Sequence, residues 1–102
     1  MKKSYSLENQ LLADYVNNLL SPEDSKLAWA RENSLKNGLP TIQVSAFDAR
    51  HLEVLSLLCR PINAIEIGTL GGYSAIAIAR GLQTGGKLYT LEVDSKHARV
   101  AG

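Results

Sequence analysis

The chain has 102 residues, 45% of them hydrophobic and 21% charged, and a formal net charge of +1. This composition is typical of one small globular domain, and its interspersed charges provide no basic stripe for nucleic acid or an anionic membrane. No apolar run approaches the roughly 18 residues of a membrane span. We therefore predict a cytoplasmic protein without nucleic-acid or membrane partners.

The N-terminal part of the sequence predicts two helices. Apolar residues recur at three- and four-residue steps from Leu7 to Leu20, which indicates an amphipathic helix. The pair Ser21-Pro22 predicts the start of a second helix, because serine caps helices and proline is tolerated at the first helical position. This helix is expected to continue to about Asn37, with Trp29 as a packing anchor or part of a dimer contact.

A turn and a third helix follow. Gly38 and Pro40 predict the turn, since glycine suits a left-handed cap and proline stops a helix. Ser45, with Asp48 three residues later, is a weaker form of the capping box and predicts a helix to about Cys59. Cys59 is the only cysteine and lies in an apolar run, so we expect a buried structural thiol in a reducing compartment.

The C-terminal part of the sequence predicts a β-α-β unit. Two apolar segments, Ile62 to Ile67 and Lys87 to Val93, are typical of strands, and the first is expected to be buried on both faces. The helix between them begins near Tyr73, and the crossover is long enough for a parallel, right-handed pair. Ser95 is expected to cap a further helix.

The most distinctive stretch reads E-I-G-T-L-G-G-Y-S and runs from Glu66 to Ser74. Gly68 allows a sharp bend and the close approach of a ligand, whereas Gly71 and Gly72 permit close packing of helix against strand. The helix N-terminus that follows favours an anionic group. An ordinary strand-to-helix turn is the alternative, but such a turn does not require three glycines within five residues.

A carboxylate follows at the end of the second strand. Glu92 has two acceptor oxygens, which suit bidentate hydrogen bonds to a ribose diol, and a solvated strand-end carboxylate is the alternative. Asp94 is the fallback if the register is off by one step. The turn lacks the dinucleotide fingerprint G-x-G-x-x-G, although the distance from Gly72 to Glu92 is close to the one that fingerprint sets. A nicotinamide cofactor is therefore the weaker prediction.

The segment Glu66 to Ser74 resembles the first motif of S-adenosylmethionine-dependent methyltransferases, and specifically that of the cation-dependent O-methyltransferases of the catechol and caffeoyl-coenzyme A type. The stretches I-Q-V-S-A-F-D-A-R-H-L-E-V-L and L-L-S-P-E-D-S-K-L-A-W-A-R-E-N-S are also similar to that family. The resemblance covers roughly Leu11 to Gly102. It implies an α/β fold with N-terminal helices over residues 1–60 and, over residues 61–102, the first β-α-β unit of a truncated Rossmann-like methyltransferase domain.

The resemblance implies S-adenosylmethionine as the cofactor. Its implied contacts are Val44, Glu66, Gly68, Thr69, Gly72, Tyr73, Ser74 and Glu92. Glu66 is placed by the methionine end, Ser74 is expected to donate to the methionine carboxylate, and Glu92 to accept from the ribose. The residues alone leave other roles open: Ser74 could cap the helix, Tyr73 could be a core aromatic, and Val44 could be a core or loop valine.

The resembled family has its metal ligands and its catalytic base beyond the second strand. The resemblance therefore implies a divalent cation, magnesium first, that is bound outside this chain, and a small phenolic acceptor methylated at a hydroxyl. We expect no catalytic residue and no metal ligand among the 102 residues, which would form an inactive N-terminal part of a longer enzyme. His51 and His97 are predicted to be surface residues, because no potential co-ligand lies at metal-ligand spacing.

The predicted sheet also bears on association. Two parallel strands covered on one side leave apolar faces and edges open, so we expect a homo-oligomer in which a second copy covers the strands. Two other functions stay open. Residues 1–60 could form a non-catalytic helical interaction module, and a nicotinamide-dependent oxidoreductase is the less favoured enzyme.

Overall fold

The computed structural model describes residues 9–20 and 23–102. Its elements are, in order, α1 (Gln10–Leu20), α2 (Ser25–Lys36), α3 (Ala46–Cys59), β1 (Asn63–Ile67), α4 (Tyr73–Ala79), β2 (Lys87–Leu91) and α5 (Ser95–Ala101). The predicted beginning of the first helix at Leu7 and the predicted cap at Ser21 lie outside the described residues. None of the helices in the described ranges is long and apolar enough to cross a membrane.

Aspartates cap two of the helices. α2 begins at Ser25 after Asp24, later than the predicted start at Pro22, and α5 begins at Ser95 after Asp94, so the predicted cap at Ser95 is wrong. Each aspartate carboxylate accepts hydrogen bonds from the backbone N–H groups two and three residues later. An ionised side chain satisfies these donors and also interacts favourably with the positive end of the helix dipole.

The predicted cap of the third helix is confirmed. The Ser45 hydroxyl accepts a hydrogen bond from the Asp48 N–H at 3.1 Å, and α3 ends at Cys59. Cys59 itself is exposed, so the prediction of a buried thiol is wrong. The physical reason is that Cys59 shares its side of α3 with Leu55 and Leu58, which are 56% and 76% exposed.

The two strands pair in parallel, as predicted, with Asn63 opposite Lys87 and Ile67 opposite Leu91. α4 packs against β2 and covers one face of this sheet. Along β1 the side chains alternate between exposed and half-buried, and Ile67 is 87% exposed. The expectation of a strand buried on both faces is therefore wrong for this chain, since only the face toward α4 is packed.

The core lies between α2, α3 and α4. Its fully buried members are Leu27, Ala30, Ala49, Tyr73 and Ala77. Because Tyr73 and Ala77 belong to α4, this core fixes the helix that follows the glycine turn. Trp29 is 63% exposed, so its predicted role as a packing anchor is wrong within this chain, and its role in a dimer contact stays a prediction.

Candidate functional site

The glycine turn between β1 and α4 has an unusual backbone. Gly68, Leu70 and Gly72 all have positive φ angles, of +92°, +51° and +87°. Glycine adopts this region without steric cost, whereas leucine does so at a cost of roughly 1–2 kcal/mol. The Leu70 N–H donates to Oε1 of Glu92 at 2.7 Å, and this hydrogen bond helps to hold the strained residue in place.

The glycines of the turn have different roles. A Cβ on Gly68 would meet no atom within 4 Å, so open space lies beside the backbone at the point where a ligand is expected. A Cβ on Gly71 would lie 1.8 Å from the Ser34 hydroxyl oxygen, so Gly71 permits close approach to α2. The prediction for Gly71 was a close approach to a strand, and it is wrong. Gly72 would make only ordinary contacts with a Cβ, and its requirement for glycine comes from its φ angle.

Glu92 lies just beyond β2 and faces the turn. Its Oε1 accepts from the Leu70 N–H, and its Oε2 accepts from the Asp94 N–H at 3.1 Å. These backbone hydrogen bonds, the one from Leu70 first, hold the pKa of Glu92 below its ordinary value and keep it ionised at neutral pH. Each carboxylate oxygen has a second acceptor position, so Glu92 can still accept from a ligand.

His97 lies close to two carboxylates, an arrangement that was not predicted from the sequence. Its Nδ1 is 3.9 Å from Glu92 and its Nε2 is 3.6 Å from Asp94, and its side chain is only 19% exposed. The first turn of α5 brings His97 over its own cap, Asp94, so His97 is less exposed than the surface position predicted for it. His51 is exposed, as predicted, and its ring contacts that of Phe47 edge-on, with the centroids 4.4 Å apart.

Asp94, the alternative candidate for the ribose contact, has a structural role. It caps α5 through two backbone N–H groups, which lower the pKa of its carboxyl group. Glu92 also accepts two backbone hydrogen bonds, but one of them holds it against Leu70 of the glycine turn, so Glu92 remains the better candidate for a ligand contact.

Glu66 has the compensating partners that a carboxylate within a strand requires. The Ser74 hydroxyl donates to its Oε2 at 2.5 Å, and the Thr90 hydroxyl donates to its Oε1 at 2.8 Å. Thr69, which is only 6% exposed, contacts Thr90 with 2.6 Å between the hydroxyl oxygens. Thr90 was not among the site residues predicted from the sequence, although the parallel register that places it opposite Glu66 could have identified it.

Ser74 does not cap α4. The N-cap residue is Gly72, which has no side chain to accept a hydrogen bond, and the Ser74 hydroxyl is directed at Glu66. In this arrangement the single Ser74 proton already has an acceptor. The predicted hydrogen bond from Ser74 to a ligand carboxylate therefore requires the Ser74 hydroxyl to turn away from Glu66.

Tyr73 and Val44 lie in or against the core. Tyr73 is 3% exposed, and its hydroxyl donates to Glu23 at 2.9 Å, while Glu23 also accepts two hydrogen bonds from Arg31 at 3.0 Å. Burial, followed by the neighbouring Glu23, raises the pKa of Tyr73 well above its ordinary value. Val44 packs against the same core cluster. Tyr73, the first residue of α4, therefore anchors the helix that follows the turn.

Several carboxyl groups have lowered pKa values, which makes the fold sensitive to acid. The pKa of Glu23 is lowered mainly by hydrogen bonds from Arg31, and the pKa values of Asp24, Glu92 and Asp94 are lowered mainly by backbone N–H groups. A carboxyl group whose pKa is lower in the folded state stabilises the fold above its unfolded pKa and loses that contribution as the pH falls through the folded value.

We therefore expect the urea midpoint of unfolding to stay nearly constant from about pH 7 to pH 5 and to fall below about pH 4.5. The Glu23→Gln variant should show a weaker dependence on acid, because one of the responsible carboxyl groups is absent. A wild-type midpoint that is unchanged down to about pH 3 would contradict this interpretation.

A separate cleft of about 460 Å³ lies between α2 and α5. It is lined by Asn33, Asn37, Lys96, Arg99 and Val100. None of the predicted cofactor contacts is among these residues. Within residues 9–20 and 23–102, no group of three or more His, Cys, Asp or Glu side chains is arranged to hold a metal ion.

Comparison with known proteins points to one family. The sequence profile of the family described as O-methyltransferase matches residues 18–102. A catechol O-methyltransferase from Niastella koreensis is 45% identical over 87 residues, which are 85% of this chain and 39% of that protein.

Solved structures agree. The O-methyltransferase from Bacillus cereus, determined in complex with SAH, is similar with a TM-score of 0.84 and 41% identity over 89% of this chain and 41% of that one. TomG from Streptomyces achromogenes, an O-methyltransferase involved in tomaymycin synthesis and determined in complex with SAM, has a TM-score of 0.81 and 34% identity over 99% of this chain and 44% of its own. The chain thus spans about two fifths of the length of these relatives.

Proposed function

This chain belongs to the O-methyltransferase family, and on that premise we propose that it forms the cofactor-binding part of an enzyme that methylates a hydroxyl of a catechol-like or other phenolic small molecule. One arrangement carries the proposal. Two carboxylates, Glu66 and Glu92, lie near the carboxyl ends of adjacent parallel strands, beside a glycine whose Cβ position is open. In parallel α/β sheets, this is the edge at which ligands bind.

The proposed cofactor is S-adenosylmethionine, whose sulfonium supplies the methyl group when it is bound. Glu92 accepts from the ribose hydroxyls, because both of its oxygens are oriented by the backbone and retain acceptor positions. Glu66 and Ser74 lie by the methionine end. The backbone of Gly68, Thr69 and Gly72 allows close approach of the ligand, while Val44 and Tyr73 support it from the core.

We propose that this chain does not catalyse methyl transfer on its own. The described residues do not offer a site for the divalent cation, so we assign no step to a metal here. Magnesium, its ligands and the catalytic base are proposed for the part of the relatives that this chain does not cover. A cytoplasmic location completes the proposal.

The experiment that tests this function is isothermal titration with S-adenosylhomocysteine (SAH), the demethylated product. We expect saturable heat with this chain and with the full-length protein, and none with NADH. The absence of heat from the full-length protein at millimolar ligand would overturn the proposal. Heat with NADH alone would instead favour the nicotinamide-dependent alternative.

A separate helical interaction module is less well supported. We propose that the N-terminal helical segment comprises residues 1–60. The start of the cofactor domain comprises residues 61–102. These segments share one core, since Leu27 and Ala49 pack with Tyr73 and Ala77. Residues 1–60 expressed alone should therefore fail to fold, and an independently folded dimer of them would revive the interaction function.

We also propose that the chain forms a homo-oligomer through its open sheet face. Ile65 and Ile67 in β1 are 72% and 87% exposed, and Tyr89 and Leu91 in β2 are 51% and 56% exposed. Covering such a surface with a second copy removes apolar area from water.

Sedimentation velocity should therefore show a dimer or larger species that Ile67→Lys shifts toward monomer. The matched variant Leu19→Lys, at an exposed leucine of α1, should leave the oligomeric state unchanged if the sheet is the interface. A stable, compact wild-type monomer would contradict this prediction.

A further inference from the structure

Three hydroxyl groups and one carboxylate form a continuous hydrogen-bonded cluster at the end of the sheet. Glu66 accepts from Ser74 on one oxygen and from Thr90 on the other, and Thr90 is in turn 2.6 Å from Thr69. This hydroxyl cluster joins both strands, the glycine turn and α4. Only one of its members, Thr90, lacks any role in the proposed binding of the cofactor.

The direction of each hydrogen bond follows from the number of protons. A carboxylate offers only acceptors, so Thr90 donates its single hydroxyl proton to Glu66. The bond between the two threonines must then run from Thr69 to Thr90. Thr69 is buried, and its hydroxyl contacts that of Thr90, so the Thr90 oxygen accepts the Thr69 proton.

From this geometry we propose that Thr90 is a positioning residue that holds the Glu66 carboxylate in one orientation for the ligand. The inference rests on the proposed function, since Glu66 is assigned to the methionine end of the cofactor. A carboxylate near the end of a long side chain otherwise has several rotamers. With a hydroxyl on each oxygen, Glu66 is fixed from both sides, by Ser74 on α4 and by Thr90 on β2.

The first measurement needs no cofactor. NMR couplings along the Glu66 side chain should report one rotamer in the wild-type chain and averaging among rotamers in Thr90→Val. Thr90→Ser retains the hydroxyl and should restore the single rotamer. Thr84→Val, at an exposed threonine in the turn before β2, should leave Glu66 unchanged. A single, unchanged Glu66 rotamer in Thr90→Val would overturn the proposal.

A double variant controls for the stability that Thr90→Val itself could lose. Thr90→Val leaves the buried Thr69 hydroxyl without its acceptor, which could lower stability by itself. The double variant Thr69→Val/Thr90→Val removes both partners and avoids this cost. It should therefore show the same averaging of Glu66 in a chain that unfolds close to the wild-type midpoint.

The second measurement compares two ligands by isothermal titration. SAH has the amino-acid end that Glu66 is proposed to contact, whereas methylthioadenosine lacks it. Thr90→Val should weaken SAH binding on the order of fivefold to tenfold and leave methylthioadenosine binding unchanged. Equal loss for both ligands would indicate a general structural role and overturn the proposal. If the wild type binds neither ligand, the proposed function fails for this chain, and the rotamer measurement still decides the role of Thr90.

Discussion

Replacement of Glu92 with alanine is expected to weaken SAH binding roughly 100-fold, because two charge-assisted hydrogen bonds to the ribose, each contributing about tenfold, are lost together. The variant also removes the acceptor of the Leu70 N–H. Leu70 has a φ of +51°, which is strained for a leucine. The glycine turn should therefore become less ordered in the free protein. Isothermal titration measures the first effect, and amide hydrogen exchange at Leu70 measures the second.

Two further variants separate the contributions of Glu92. In Glu92→Gln the amide oxygen can still accept from Leu70, but the charge is lost and the NH₂ group faces the Asp94 N–H. This variant should keep the protection of Leu70 while it loses much of the SAH affinity. Glu32→Ala, at an exposed carboxylate of α2, should change neither quantity. Wild-type SAH affinity in Glu92→Ala would remove Glu92 from the site.

Glu92 shows how far the sequence predicts such a site. Its place at the end of an apolar segment identifies it as a candidate ligand residue, and in the structure it lies just beyond β2, which ends at Leu91 and not at Val93 as predicted. The sequence does not reveal that its carboxylate also holds the turn. That contact depends on the backbone N–H of Leu70, whose orientation comes from a positive φ that a non-glycine residue rarely adopts.

Other features were beyond sequence reasoning for similar reasons. The capping rules rank serine and aspartate about equally, so the pattern alone could not identify Asp24 and Asp94 as the cap residues of α2 and α5. The exposure of Cys59 depends on which side of α3 packs against α4, and an apolar run on all sides of a helix does not specify this. By contrast, the parallel strand pair follows from apolar segments separated by a helix-length crossover, and it was predicted correctly.

Two glycines, one at each end of α4, make close contacts with neighbouring helices. Gly71 lies against Ser34 of α2, and Gly81, just beyond α4, lies against Ser56 of α3. Each contact holds one end of α4 against a different helix. The ligand-facing backbone at Gly68 is therefore positioned by packing that lies on the other side of the turn.

Of the glycine-to-alanine substitutions in this chain, Gly81→Ala is expected to be the most destabilising. Its Cβ would lie 2.2 Å from the Ser56 hydroxyl oxygen and 2.4 Å from the Ser56 backbone carbonyl carbon, so α3 and α4 would have to separate. Overpacking of this kind costs roughly 1–3 kcal/mol and more where backbone must move, against a total stability of about 5–15 kcal/mol for a chain of this size. We expect a loss of at least about 3 kcal/mol in urea unfolding.

The matched variant Gly71→Ala distinguishes a backbone clash from a side-chain clash. Its Cβ would lie 1.8 Å from the Ser34 hydroxyl oxygen and 3.1 Å from the Ser34 Cβ, so Ser34→Ala removes the closest atom. This second substitution should restore much of the stability lost in Gly71→Ala. Ser56→Ala should restore little in Gly81→Ala, because the backbone carbon of Ser56 remains at 2.4 Å. Full rescue by Ser56→Ala would show that α3 and α4 can separate easily, and that their contact does not fix the end of α4.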